Sequence, residues 1–430
     1  MKGVRVDVTG CFLDRTGLCA RDLANLAPRL EAARAAMLAR ETAPDWARQL
    51  AADYDANRWE SALYRVLKGA HHLRDQVDAA VIVGPGDWTI GAKALMQACS
   101  DPYFNEHDRG ERGSRQRLYF AGEDHDNDAL QGLVRRLEHG PIAPCDGRWA
   151  LVAIAGPDST PETEIAFDEL TAALRRKLKA GASTWQQFIV PMTAGNSLFA
   201  ERLRTLQGEH GFRLPDEMPP CASLFSAVAL LPAAMLGADV VRFLRGAMQM
   251  RERFLREPIG QNPVLDLVGV QTLLERRCGL SSRVLSVWAS ALAGAAEWRR
   301  RLARTTASQG GGRWRIAGVA DAAERRTIAA QLASDELLIQ WCVEQWRCDP
   351  APAGVLDGAP AGAEATLPQR THYDLLQVRR TLREAGRAQI EVWLPQVDEG
   401  SLGQLFQLAL LANELEGWLR KNPPPIRTAA

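Results

Sequence analysis

Five consecutive apolar residues, Ala79 to Val83, run directly into Gly84-Pro85-Gly86 and then into a stretch with helical spacing. A strand that is apolar on both faces has to be covered on both faces, which excludes a sheet with one wet side. Glycine and proline close such a strand in a tight turn. The same unit recurs downstream. Residues 117–121 (RLYFA) precede a helix with Leu130, Leu133, Val134 and Leu137 on one face. Residues 149–154 (WALVAI) precede a helix that opens near Thr160, and 187–190 (QFIV) precede one that opens near Ser197. Strand and helix alternating four times imply a parallel sheet with helices on both faces.

The flanking segments complete an α/β chain. Leu23, Leu26, Leu30 and Met37 share one helix face, and a second helical stretch spans 46–72. After a break at 215–220, helices are expected at 222–237, 239–256 and 261–278. A strand at 283–288 (RVLSVW), a helix at 290–304 and a flexible turn at Gly310-Gly311-Gly312 follow. Residues 349–368, rich in Ala, Pro and Gly, read as a loop or linker. A helix at 371–385, a strand at 388–393 and a closing helix at 401–420 end the chain. With 430 residues there is room for more than one core. The expected division is an N-terminal helical segment (1–74), a first α/β domain (75–214) and a second (215–430).

Composition narrows the function classes. Lys plus Arg and Asp plus Glu number 52 each, a balance that argues against nucleic acid as a partner. The eight cysteines, at 11, 19, 99, 145, 221, 278, 342 and 348, form no C-x-x-C pair and no zinc spacing. Reduced, mostly buried thiols in a cytoplasmic protein are expected. MKGVRVDVTGC has no apolar core of a leader peptide. Residues 222–238 are uncharged, but Ser223, Ser226, Pro232 and Gly237 interrupt them, so a buried helix and no membrane span is expected.

Local motifs for cofactors fail. Gly84-x-Gly86 with Gly91 five residues on is not the dinucleotide fingerprint, and no phosphate-loop motif occurs. The acidic run 123–128 lacks the mid-loop glycine and closing glutamate of a calcium loop, so it reads as a solvated lead-in to a helix. His71, His72, His107, His125, His139 and His210 lie in helical or polar contexts. No metal and no cofactor are expected. Thr160 followed by Pro161 is an ordinary helix start, and the positive end of that helix also attracts anions.

A family resemblance rests on the strand-to-helix turns. Residues 83–91 (VGPGDWTIG) resemble the hydrophobic-Gly-x-Gly-Gly-Ser-x-x-Gly turn of phosphoglucose isomerases, also called glucose-6-phosphate isomerases. RLYFAG at 117–122 is similar to the family's next strand. Ser159-Thr160-Pro161-Glu162-Thr163, followed by Ala166-Phe167, resembles the Thr-Thr-x-Glu-Thr that opens its phosphate-binding helix. Residues 223–228 (SLFSAV), Leu230-Leu231-Pro232, Asn262-Pro263, Glu297-Trp298, 401–405 (SLGQL), Gly417 and Asn422-Pro423 follow in the family's order. The likeness covers about 79–423.

The resemblance implies two SIS-type (sugar-isomerase) doubly wound parallel-sheet domains in tandem, with an N-terminal helical segment and a C-terminal helix. It implies a homodimer, a sugar-phosphate ligand and the interconversion of glucose 6-phosphate and fructose 6-phosphate through an enediol, in glycolysis and gluconeogenesis. Transferred residue by residue, the sugar-phosphate site falls on Gly86, Asp87, Trp88, Ser159, Thr160 and Thr163.

The departures from the family pattern concern charge. Where the family's cradle reads Ser-Lys-Ser/Thr-x-Thr-Thr, this chain has Ala155, Gly156, Pro157, Asp158, Ser159 and Thr160. Gly-Gly-Ser has become Gly86-Asp87-Trp88. Each carboxylate near a phosphate dianion repels it by about 1 kcal/mol or more at an effective dielectric near 20. The family's arginine falls on Cys221 and its glutamate base near Thr305-Thr306. His372 lies near the place of its histidine without the surrounding motif, and its C-terminal lysine has no counterpart in 422–430 (NPPPIRTAA). No catalytic residue is assigned. Three readings stay open: a degenerate isomerase-like binding, regulatory or scaffolding module; an active aldose–ketose isomerase with a rebuilt site; and a binder of a less anionic sugar.

Overall fold

The computed structural model describes residues 3–39, 45–139, 147–178, 185–206, 211–307, 312–318, 321–355 and 364–422. The chain divides into two compact units, one of residues 45–244 and the other of 1–44 together with 245–430. The chain enters through β1 (Arg5–Asp7) and α1 (Ala20–Leu38), both in the discontinuous unit.

The continuous unit then runs α2 (Trp46–Asn57), α3 (Ala62–Gln76), β2 (Ala79–Val83), α4 (Gly86–Cys99), β3 (Arg117–Ala121), α5 (Asn127–Glu138) and β4 (Trp149–Ala155). It continues with α6 (Pro161–Leu178), β5 (Ile189–Thr193), α7 (Leu198–Thr205), β6 (Phe212–Arg213) and α8 (Ala227–Met235). Its strands lie in the order β3-β2-β4-β5-β6, and every pairing is parallel. Each residue of β2, β4 and β5 is buried, as their unbroken apolar runs demand.

The boundary at 244 falls inside α9 (Val240–Arg256), and the chain returns to the discontinuous unit. There follow α10 (Pro263–Cys278), β7 (Ser282–Val287), α11 (Ala293–Ala307), β8 (Trp314–Ala317), α12 (Ala322–Gln331) and β9 (Glu336–Gln345). Then come β10 (Pro352–Val355), β11 (Glu364–Thr366), α13 (Leu367–Glu384), β12 (Gln389–Gln396) and α14 (Glu399–Lys421). The sheet order is β1-β12-β9-β7-β8, parallel except for β1, which runs antiparallel to β12. In each sheet the first parallel strand has its successor on one side and the third strand on the other. That doubly wound order opens a crevice at the C-terminal ends of the first and third strands.

The division of the chain corrects the expected boundaries 1–74, 75–214 and 215–430. Residues 1–74 are not one segment. Arg5, Val6 and Asp7 pair with Trp393, Val392 and Glu391, so the first strand completes the sheet of the discontinuous unit. Helix α1 packs there too, and a Cβ on Gly269 would lie 2.6 Å from Leu23. Helices α2 and α3 belong to the continuous unit. The helix expected over 46–72 is two, because Ser61 caps a new start by accepting from the Tyr64 N–H at 3.1 Å. The break at 215–220 is not a domain boundary either. Ser223 Oγ donates to the Trp88 carbonyl at 2.9 Å and holds the following segment on α4.

In the discontinuous unit the sequence reading missed β8, α12 and the ten-residue β9, besides β1. The stretch 349–368 is not all loop, since β10 and β11 pair antiparallel within it. Gly310, Gly311, His210 and residues 423–430 lie outside the described residues. Among the described residues no helix is long and apolar enough to cross a membrane, and every residue of α8 but Ala234 is buried.

The entrance to β2 rests on a buried carboxylate. Asp78 accepts from Arg112 Nη2 at 2.7 Å, from Arg109 Nη1 at 3.4 Å and from Arg117. The three guanidinium groups also donate to carbonyls, among them Val77, His107 and Asn105, so they pin the segment after α4 against the sheet. Burial pulls the Arg112 pKa down, and Asp78 opposes that shift. Removing a partner from a buried ion pair costs about 3–5 kcal/mol, because the remaining charge is stranded. Asp78→Ala is expected to destabilise the protein by about that amount in urea denaturation; a loss below about 1 kcal/mol would show that solvent takes over the carboxylate's role.

Candidate functional site

The reversal of winding in the continuous unit falls between β2 and β4, so the turns that leave these strands form the rim of its crevice. Both turns depend on glycine. A Cβ on Gly84 would come within 2.9 Å of the Ile154 Cβ. One on Gly156 would lie 2.7 Å from Trp88 Nε1 and 2.8 Å from Asp158 Oδ1.

These short approaches mark what occupies the crevice. Trp88, in the first turn of α4, is only 1% exposed, and its indole N–H donates to Asp158 Oδ1 at 2.8 Å. The bond ties the turn after β2 to the turn after β4. Gly86 and Asp87 are half-buried beside it. The hydroxyls of the β4 turn are engaged within the turn itself. The Gly156 N–H donates to Ser159 Oγ at 3.0 Å, and Ser159 Oγ and Ser197 Oγ donate to the Gly156 carbonyl at 3.0 and 3.2 Å.

At the N-terminus of α6 lies a carboxylate of the helix itself. The carboxylate of Glu162 is held below the usual range, first by a hydrogen bond from the Thr160 hydroxyl and then by its own backbone N–H. His125 Nε2 lies 3.4 Å from it. The positive end of the helix is therefore met by a side chain of the same helix. Thr163 points elsewhere. It is fully buried, and its hydroxyl donates to the carbonyl of Gly122 at 2.7 Å, locking α6 to the end of β3. Gly122 has φ +86°, and a Cβ there would sit 3.1 Å from the Thr163 Cα, so the approach requires glycine.

The structure thus gathers Gly86, Asp87, Trp88, Ser159 and Thr160 at the crevice and turns the Thr163 hydroxyl away from it. Sequence reasoning missed Gly156 as the close-approach position and Asp158 as the partner of Trp88. The signal was present: a bulky donor in one turn coincides with a new acceptor in the other. It also missed Glu123, which takes the Lys93 ammonium at 2.8 Å on one oxygen and the Thr89 hydroxyl on the other. The acidic run does lead into a helix, with Asp126 capping α5 through the Ala129 N–H at 2.9 Å.

The resemblance matches Cys221, Thr305-Thr306 and His372 to the family's reactive positions. Cys221 is buried in a 3-10 turn at Pro220–Phe225. Thr305 Oγ1 donates to the Leu302 carbonyl at 2.7 Å and accepts from Asn413 Nδ2 at 3.1 Å. The side chain of Thr306 lies outside the described residues. His372 is exposed on α13.

Two doubly wound parallel sheets in one chain, each with a strand-to-helix crevice, define a protein of the SIS-type sugar-isomerase fold. No family model matches the chain. It is 28% identical to glucose-6-phosphate isomerase of Rubrobacter xylanophilus over 428 residues, 97% of this chain and 93% of the relative. It is 25% identical to glucose-6-phosphate isomerase of Symbiobacterium thermophilum, over 83% of this chain and 78% of the relative. Among solved structures, a hypothetical protein of Thermus thermophilus superposes with a TM-score of 0.77 at 23% identity, covering 97% of this chain and 94% of that one. A glucose-6-phosphate isomerase of Chlamydia trachomatis superposes with a TM-score of 0.64 at 14% identity, covering 83% and 68%. By sequence the chain is a divergent relative of glucose-6-phosphate isomerases, similar to them over nearly its whole length.

The bond across the crevice can be isolated by a double-mutant cycle. Trp88→Phe keeps most of the bulk and removes the donor, and Asp158→Ala removes the acceptor. Each is expected to lower stability in urea, with a coupling of about 1 kcal/mol between them. Strictly additive losses would mean that the indole and the carboxylate do not interact in solution.

Proposed function

We propose that this chain retains the glucose-6-phosphate isomerase fold as a sugar-phosphate-isomerase-like binding or regulatory module, without interconverting glucose 6-phosphate and fructose 6-phosphate. One observation carries this reading: the buried Trp88 indole, bonded to Asp158, stands where the family resemblance locates the substrate phosphate. A dianion arriving there meets a tryptophan and the carboxylates of Asp87 and Asp158, neither of which the family pattern carries.

The chemistry points the same way. Moving a proton between C1 and C2 requires a carboxylate base, and charge developing on the enediol requires cations or hydrogen-bond donors aimed at it. Thr305 cannot act as that base at neutral pH, because a hydroxyl has no basic form there. The Cys221 thiol brings no positive charge. The carboxylates at the rim of the crevice instead accept hydrogen bonds, which suits the hydroxyls of an uncharged sugar better than a phosphate. Pairing as a homodimer and a cytoplasmic setting belong to the same reading and rest on the family resemblance.

The 28% identity to a named glucose-6-phosphate isomerase over nearly the whole chain favours a second reading, an active isomerase with a rebuilt site. A coupled assay separates the two. Purified full-length protein given fructose 6-phosphate is expected to show no turnover above background. In thermal shift, neutral hexoses are expected to stabilise it more than their 6-phosphates do. Turnover in the ordinary enzyme range, about 1–1000 per second, would overturn the proposal in favour of the rebuilt isomerase.

A further inference from the structure

The discontinuous unit contains a second polar cavity, at the opposite end of its sheet from the strand-to-helix turns. Its walls come from α10, α14 and the first residues of β7, and its volume is about 240 Å³. That is below the roughly 300–1,000 Å³ of sites that take drug-sized ligands.

Two of its wall residues are buried without a counterpart. Gln271 is 1% exposed, and neither its amide nitrogen nor its amide oxygen has a hydrogen-bond partner. Glu416 is 7% exposed, and its Oε1 likewise has none. The Nε atoms of Arg283 and Arg420 are also buried with no hydrogen bond of their own, although both guanidinium groups are bonded through Nη2; buried polar groups are nearly always hydrogen-bonded, so this wall calls for an explanation. The charge around them is positive. Arg276, Arg283 and Arg420 face Glu275 and Glu416 across the cavity, an excess of one positive charge. The arginines are held in place: Glu275 Oε2 accepts from Arg283 Nη2 at 3.0 Å and from Arg420 Nη2 at 2.7 Å.

A ligand that completes this wall has two properties. It carries negative charge, to match the net positive charge of the lining. It also brings O–H donors, because Gln271 Oε1 and Glu416 Oε1 are both acceptors, and an anion without hydrogens leaves them unserved. We propose that the cavity binds a small hydroxylated anion, a phosphate or carboxylate carried on a short polyol. The site is separate from the Trp88 crevice, so the proposal does not rest on the fate of the isomerase chemistry.

Isothermal titration of the full-length protein with glycerol 3-phosphate, glycerate and inorganic phosphate tests it. At least one of the two hydroxylated anions is expected to bind one per chain, tenfold or more tighter than inorganic phosphate; which of them does so identifies the anionic group. Gln271→Leu is expected to weaken that binding at least tenfold while leaving the ligand-free melting temperature unchanged or raised, because the buried amide is gone. Glu416→Gln, which keeps shape and removes charge, is expected to tighten inorganic phosphate and narrow the preference for hydroxylated anions. Absence of saturable binding by all three anions, equal affinity for all three, or wild-type affinity in both variants overturns the proposal.

Discussion

The crevice between β2 and β4 is the constraint on which the rest of the continuous unit turns. Neighbouring strands whose connections leave toward opposite faces of the sheet open a gap at their C-terminal ends, and that gap has to be filled or left for a ligand. Here the Trp88 indole takes up part of it, and its bond to Asp158 ties the two turns together. Gly156 follows from this, since a Cβ there would press on the indole and on Asp158, whereas Gly84 is pressed by Ile154 of the neighbouring strand. The 3-10 turn at Pro220–Phe225 is drawn in as well, because Ser223 takes the Trp88 carbonyl.

The second sheet solves the same problem in a related way. Its reversal lies between β7 and β9, and Trp288, directly after β7, is buried there. The Trp288 indole donates to Gln340 Oε1 of β9 at 2.9 Å, and Gln340 Nε2 passes a bond on to Gln389 Oε1 of β12 at 2.6 Å. A polar chain thus links the three neighbouring strands β7, β9 and β12 inside the sheet. Such a network is stable only when each member is satisfied, and it fixes the pairing of strands that apolar contacts alone would let slip.

The fold outlasts sequence similarity: a solved structure only 23% identical superposes over 97% of this chain. Packing tolerates exchange of one apolar residue for another of similar volume, so a fold survives many substitutions. A charge placed for catalysis has no such substitutes, and once lost it leaves the fold intact.

Strands β2, β3 and β4 could be placed from the sequence alone, as could the helix starting at Pro161 and the closing helix, because period and punctuation are local properties. The presence of Asp87, Trp88 and Asp158 in the strand-to-helix turns was legible for the same reason. What the sequence could not reveal depends on distance. The pairing of Arg5–Asp7 with Glu391–Trp393 joins the two ends of the chain, and no local pattern encodes it. Strand β9 mixes polar and apolar residues because Gln340 is bonded inside the sheet, which masks the strand period. At the crevice itself, the sequence determined that a tryptophan and an aspartate had entered two glycine turns. Only the tertiary structure decided that they face each other, because the two turns are 70 residues apart and meet only when β2 and β4 lie side by side.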